Sequence, residues 1–187
     1  MKRGVIATAA SLALLACAQR EQDRAVETTL ADTPPVDSNP VGPVVDAHGI
    51  GPVRIGMTLQ ELNAALMDTL RPAYDINEEC DFVEPKALQG AALMILLDSV
   101  ARVDVDAPGI LTKEGAGVGD TEASVLALYG GRARVQPHKY TGPEGHYVII
   151  STPGDSAYRI IFETDGKKVE RYRAGRSPGV DYIEGCA

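Results

Sequence analysis

Tryptophan is absent, phenylalanine occurs twice, and histidine and cysteine occur three times each in 187 residues. Lack of tryptophan removes the strongest usual anchor of a protein interface. Scarce histidine and cysteine go with the absence of HExxH and of any CxxC pair, and neither GxSxG nor a phosphate-binding loop occurs. Ser151 and Asp155 lie close in sequence because the turn "STPGDS" needs such residues, which makes them poor candidates for a catalytic pair. The chain therefore reads as noncatalytic and without a cofactor, with a carboxylate pair assembled only by folding as the alternative left open. Basic residues are short as well, 18 against 26 acidic ones for a net charge of −8, so a phosphate backbone has no basic surface to meet. Nucleic acid is excluded as a partner on that ground.

One apolar run is present, at the start. "MKRGVIATAASLALLAC" places Lys2 and Arg3 before an apolar stretch and small residues, the parts of an export signal, and it is too short to span a bilayer. Its end, Leu14-Leu15-Ala16-Cys17, resembles the lipobox of bacterial lipoproteins, which implies cleavage after residue 16 and lipidation of Cys17 (palmitate among the acyl chains). Ala18 is not the aspartate of inner-membrane retention, so the resemblance implies the outer membrane, facing the periplasm. The alternative is an ordinary secreted protein with a chance cysteine. Loss of residues 1–16 takes two positive charges and moves the net charge from −8 to −10. Residues 17–47, rich in Pro, Asp, Glu, Thr and Ser and without periodicity, read as a flexible acidic tether. The globular domain is expected over residues 48–187, large enough for one core.

Cys80 and Cys186 are the two cysteines of that domain. In an oxidising compartment they are expected to form a disulfide, closing a loop of over a hundred residues and pinning the C-terminus. The competing reading is a redox or metal-binding thiol pair, which no CxxC supports.

Two passages in the domain align. In "RIGMTLQEL" (54–62) and "GVGDTEASVL" (117–126), Gly56 falls on Gly119, Thr58 on Thr121 and Leu62 on Val125. Thr58 stands three residues before Glu61, the spacing of a capping box, and Leu59, Leu62, Ala65 and Leu66 follow at helical spacing. Asp120 or Thr121 can cap the second helix, with Val125, Leu128 and Tyr129 as its stripe and Gly130-Gly131 as its stop. After each helix the period changes to two: "CDFVE", "ALMILLD" and "VARVDVD", then "RVQPHKY", "GHYVIIS", "YRIIFET" and "KKVERYR", with Asp165-Gly166 as a hairpin turn. The fold class is thus α+β, a tandem of two helix-plus-antiparallel-meander repeats, about 48–110 and 111–187, sharing one core. Chance similarity of two α+β segments is the alternative. The Gly-Met-Thr turn, the helix after it, the cysteine and the meander resemble the SmpA/OmlA (BamE-like) family of outer-membrane lipoproteins, and also the tandem repeat of beta-lactamase inhibitory proteins. That resemblance implies proteins that bind other proteins through an exposed sheet face, and it implies no catalytic residues. The family's repeats often begin with two helices, for which 68–79 offers a weak second one.

Three groups carry candidate sites. His138 and His146 are symmetric about Gly142, so in a hairpin they would face each other with Glu144 near the tip, as a zinc or copper site or simply as two solvated histidines. Arg171 and Arg173 alternate with Glu170 and Tyr172, share a face with Val169, and with Lys167, Lys168 and Arg176 form the one basic cluster of an acidic protein. They suit an acidic partner or a lipid headgroup, or else a strand charged against edge pairing. Tyr147, Tyr158 and Tyr172 fall on strands and suit either a recognition face or the core. The expectation is a noncatalytic envelope lipoprotein that binds another envelope protein. An inhibitor of an envelope hydrolase and a small-ligand or metal binder are the alternatives.

Overall fold

The computed structural model of the chain describes residues 42–72 and 79–186. The signal segment, Cys17 and most of the tether lie outside the described residues. Among the described residues no helix is long and apolar enough to cross a membrane.

Folded structure begins earlier than the expected start at residue 48. Val45–Asp46 (β1), Gly49–Ile50 (β2) and Val53–Arg54 (β3) form a small antiparallel sheet in the order β1-β2-β3. Val45 and Ala47 are buried, and the Val45 amide donates to the Leu111 carbonyl at 3.0 Å. Strands of two residues are too short to show a period, which is why they read as tether.

The first helix, α1, runs Leu59–Leu66. Its capping box is formed: the Glu61 amide donates to Thr58 Oγ1 at 3.2 Å, and the Thr58 amide donates to Glu61 Oε2 at 2.8 Å. These bonds to Thr58 hold the Glu61 carboxyl below its ordinary pKa. Leu62 is the helix's fully buried residue, with Leu59 and Leu66 packed at the edge of the core. Residues 68–72 carry no helix and 73–78 lie outside the described residues, so the weak second helix is missing from the part that can be seen.

Strands Cys80–Val83 (β4), Ala91–Leu96 (β5) and Ser99–Val105 (β6) follow, then helix Glu122–Tyr129 (α2), then Ala133–Pro137 (β7), His146–Ser151 (β8), Tyr158–Thr164 (β9) and Val169–Arg176 (β10). They make one seven-stranded antiparallel sheet in the order β4-β5-β6-β10-β9-β8-β7. All seven strands expected from the alternating runs are present. The helix stripes differ in part: Ala65 of α1 is exposed, and in α2 Leu126 packs against the core with Val125 and Tyr129 while Leu128 is exposed. The protein is α+β, with two antiparallel sheets and two short helices.

The two turns ahead of the helices are tied to the large sheet by matching bonds. Gly56 and Gly119 have φ of 93° and 94°, a left-handed conformation that glycine adopts without a Cβ clash. The Gly56 amide donates to Val100 O at 2.7 Å and the Gly119 amide to Val169 O at 2.9 Å. In return the Val100 amide donates to Met57 O and the Val169 amide to Asp120 O. Each helix thereby starts on the outer end of the last strand of its meander, β6 or β10, and these two strands pair in the middle of the sheet.

The two faces of the sheet differ. The near face, under the helices and the small sheet, is apolar: Leu93, Val103, Val105, Val148, Ile150, Ile160, Phe162 and Tyr172 are buried in one cluster with Leu62 and Val125. The far face carries Met94, Arg102, Asp104, Tyr147, Ile161, Glu163 and Arg173, and the C-terminal segment crosses it. That segment turns at Gly179–Asp181 and ends in the Cys80–Cys186 disulfide, with Cα atoms 5.5 Å apart and a sequence separation of 106. The expected disulfide is present. A Cβ at Gly179 would lie 3.0 Å from the Cβ of Ala101, so the tail sits directly on the strands.

Candidate functional site

The sequence-predicted candidates converge on the far face only in part. Strand β10 has a bulge between Val169 and Arg171, and it turns Val169 into the near-face core while Arg171 and Arg173 point away. The expectation that the two arginines share a face with Val169 is corrected by that one extra residue. Tyr172 is also corrected as a partner-binding candidate: it is 1% exposed in the core, its hydroxyl donates to Ile110 O at 3.1 Å, and burial pushes its pKa far up.

Arg173, 5% exposed, is not free for a partner either. Its Nε donates to Val180 O at 2.7 Å and its Nη1 pairs with Glu163. Arg102 does the same one strand over, donating from Nη1 to Gly179 O at 3.1 Å and to Tyr182 O at 2.7 Å, with Nε on Asp104 Oδ2 at 2.7 Å. Two buried guanidiniums thus hold the carbonyls of the tail. Buried carbonyls need donors, and a forked, permanently charged group supplies several at once. Burial pushes the Asp104 carboxyl above its ordinary pKa, against the opposing pull of Arg102.

Glu163, 7% exposed, is the hub. It pairs with Arg173, lies 3.4 Å from Arg171 Nε and 3.5 Å from His138 Nε2. His138 Nδ1 accepts from the amides of Tyr140 and Thr141 at 3.1 and 3.2 Å, which puts the ring proton on Nε2, toward Glu163. The His138 ring stacks on Tyr147 at 4.4 Å between centroids. Tyr147 is buried, with its hydroxyl pKa raised chiefly by that burial, so it belongs to this packing and not to an exposed recognition face.

The histidine pair is likewise corrected. His138 sits over the far face, while His146, in register with Pro137, points to the near side and binds Glu122 of α2 through Nδ1 at 2.9 Å. Neighbouring residues on a strand point to opposite faces, and the hairpin register sets His138 beside Gly145 rather than His146. The two imidazoles therefore do not meet, and no metal-holding group of three His, Cys, Asp or Glu occurs among the described residues. Glu122 also accepts from the Thr164 hydroxyl, which pins the start of α2 to β9.

Both edges of the sheet are blunted. The His138 amide donates to Gly145 O, so by alternation the outward amides of β7 are those of residues 133, 135 and 137. The Ala133 amide turns back to Gly130 O and Pro137 has none, which leaves Val135. On β4 the same alternation, set by the Leu97 amide on Glu79 O, points Cys80 and Phe82 outward, and the Phe82 amide donates to Asp81 Oδ1 at 2.7 Å. Neither edge offers a free ladder for an added strand.

A cleft of about 580 Å³ opens on the far face, between the turn at Lys86–Leu88 and strand β10. Phe82, Leu88, Ala91 and Ala92 give it apolar walls, Glu84 and Asp106 line it with acid, and Arg171 reaches into it. The Arg171 side chain is 62% exposed, and its one carboxylate among the described residues is Glu163, already paired with Arg173. Arg171 thus keeps donors to spare, unlike Arg102 and Arg173. The cleft thus sets carboxylates of Glu84, Asp104 and Asp106 and the Arg171 guanidinium around an apolar floor.

Searches against family models, characterised proteins and solved structures return no match for this chain. Sequence reasoning missed Glu163, Arg102, Asp104 and the C-terminal strap. Their trace was visible in "ARVDVD" and "RIIFET", where charged residues alternate with apolar ones, but alternation alone reads as a solvated face. The strap that covers Arg102 comes from 77 to 80 residues away.

Proposed function

We propose that this chain is a noncatalytic binding module of the bacterial envelope, held on the outer membrane through lipidated Cys17 and docking another envelope protein in the Arg171 cleft. The observation that carries the reading is the contrast among the three far-face arginines of the two central strands. Arg102 and Arg173 are spent on the tail, whereas Arg171 projects from the same sheet into an open cleft with apolar walls. An apolar pocket with a few converging polar groups is the usual form of a recognition site, and arginine is enriched at the centres of interfaces. The blunted edges direct recognition to the face of the sheet rather than to strand addition.

The module is read as two copies of one helix-plus-meander unit that share a core. The matching bonds of Gly56 with Val100 and of Gly119 with Val169, and the pairing of β6 with β10 between the copies, support that reading. It agrees with the resemblance of "RIGMTLQEL" to SmpA/OmlA lipoproteins. Co-purification from envelope extract tests the proposal, with a photo-crosslinker at exposed Gln89 beside the cleft. A crosslinked envelope protein with the parent chain, lost on Arg171→Glu, is the expected result. Recovery unchanged by Arg171→Glu overturns the cleft, and a hydrolase as the captured protein replaces the scaffold role with that of an inhibitor.

A further inference from the structure

A second, smaller cleft of about 310 Å³ lies at the other end of the far face, where Arg134 of β7, Ser151 of β8 and Arg159 of β9 point the same way beneath the turn that carries Thr152 and Ser156. Its register explains the convergence. Arg134 pairs with Ile149 and Ser151 pairs with Arg159, so the two arginines sit diagonally on either side of β8. Long side chains reach across such a diagonal.

The charge balance in this cleft is unusual for so acidic a chain. Arg134 is exposed and meets no carboxylate among the described residues. Arg159 is only partly compensated: Nη1 lies 3.2 Å from Asp181 Oδ1, Nη2 donates to Ser156 O at 2.9 Å, and the buried Nε has no hydrogen-bond partner. An orphaned buried donor is unfavourable, and arginine forks are matched geometrically by carboxylates. Two guanidiniums against one carboxylate leave room for one negative charge. Three hydroxyls and the amide of Gln136 surround that place, far more hydrogen-bonding capacity than a carboxylate alone can use.

We infer that this cleft binds a sugar acid, its carboxylate between Arg134 and Arg159 and its ring hydroxyls on Ser151, Thr152, Ser156 and Gln136. The volume fits one such ring, at the small end of ligand sites. The site is separate from the Arg171 cleft and stands or falls without it.

Calorimetric titration of the full chain with glucuronate, glucose and acetate tests the inference, because glucose keeps the ring without the charge and acetate the charge without the ring. Glucuronate is expected to bind at least about tenfold more tightly than either, a difference of about 1.4 kcal/mol. Arg134→Gln, at an exposed position and with the thermal melt checked, is expected to abolish the preference for glucuronate over glucose. Ser151→Ala is expected to weaken glucuronate and leave acetate unchanged. Acetate binding as tightly as glucuronate, or an Arg134→Gln variant with full affinity, overturns it.

Discussion

The near and far faces of the large sheet are made by the same strands yet are held together by different physics. On the near face Phe162, Tyr172, Val103 and Leu93 bury apolar surface against the helices and the small sheet, and stability comes from area removed from water. On the far face, Arg102 and Arg173 are buried where the C-terminal strap lies on them, with Glu163 buried beside Arg173 and Asp104 half-buried beside Arg102. Buried charges add little net stability when paired and cost much when a partner is removed. The near face thus supplies the fold, and the far face fixes where the tail lies and leaves Arg171 free.

Removing the disulfide is the strongest way to break this comparison. The Cys80→Ser, Cys186→Ser pair frees a strap that closes a loop of 106 residues, and on the chain-entropy account the loss is about 4.7 kcal/mol, read as a shift of the denaturation midpoint. Faster amide exchange at Val180 and Tyr182, with β8 to β10 still protected, is expected beside it. Equal loss of protection on both faces would show that the strap is part of the main core.

Next in size are substitutions at adjacent residues of β9. Phe162→Ala is expected to cost roughly 3–5 kcal/mol through the cavity it opens. Glu163→Gln is expected to cost about 3 kcal/mol for a different reason, since it strands Arg173 without its counter-charge. The double change Glu163→Met, Arg173→Met is expected to recover part of the second loss, since it removes the stranded charge but also the donor to the Val180 carbonyl. Chemical denaturation of the four chains separates packing from pairing, and an unrecovered double variant would refute the assignment of the far face.

The smallest effect concerns the end of the strap. The Tyr140 hydroxyl and Lys139 bond the Glu184 carboxylate and hold its pKa below the ordinary value. A depressed carboxylate favours the folded state above its unfolded value, about 4.3, and that contribution fades as pH falls through the lowered value. Tail amides are therefore expected to shift in an NMR titration below about pH 4.3, and to stop shifting there in Glu184→Gln.

Much of the fold was legible because local rules and the global structure agree in this chain. The Thr58 capping box, the Gly56 and Gly119 turns, the Asp165-Gly166 hairpin and seven alternating strands each follow from residues a few positions apart. The candidate site was less legible. Arg171 and Arg173 stood out by charge, yet a bulge one residue long reversed their face relative to Val169, and no residue type marks such a bulge. His138 and His146 looked symmetric about Gly142, but the hairpin register put them on opposite faces.

By itself the sequence determined the seven long strands, the two capped helices, the α+β class and the joining of Cys80 to Cys186, because periodicity, caps and an even pair of cysteines act locally or by simple count. Only the tertiary structure decided which arginines are spent and which is free. Arg102, Arg171 and Arg173 have the same chemistry and the same alternation. They differ in whether the C-terminal segment, folded back across the sheet and pinned at Cys186, lies over them.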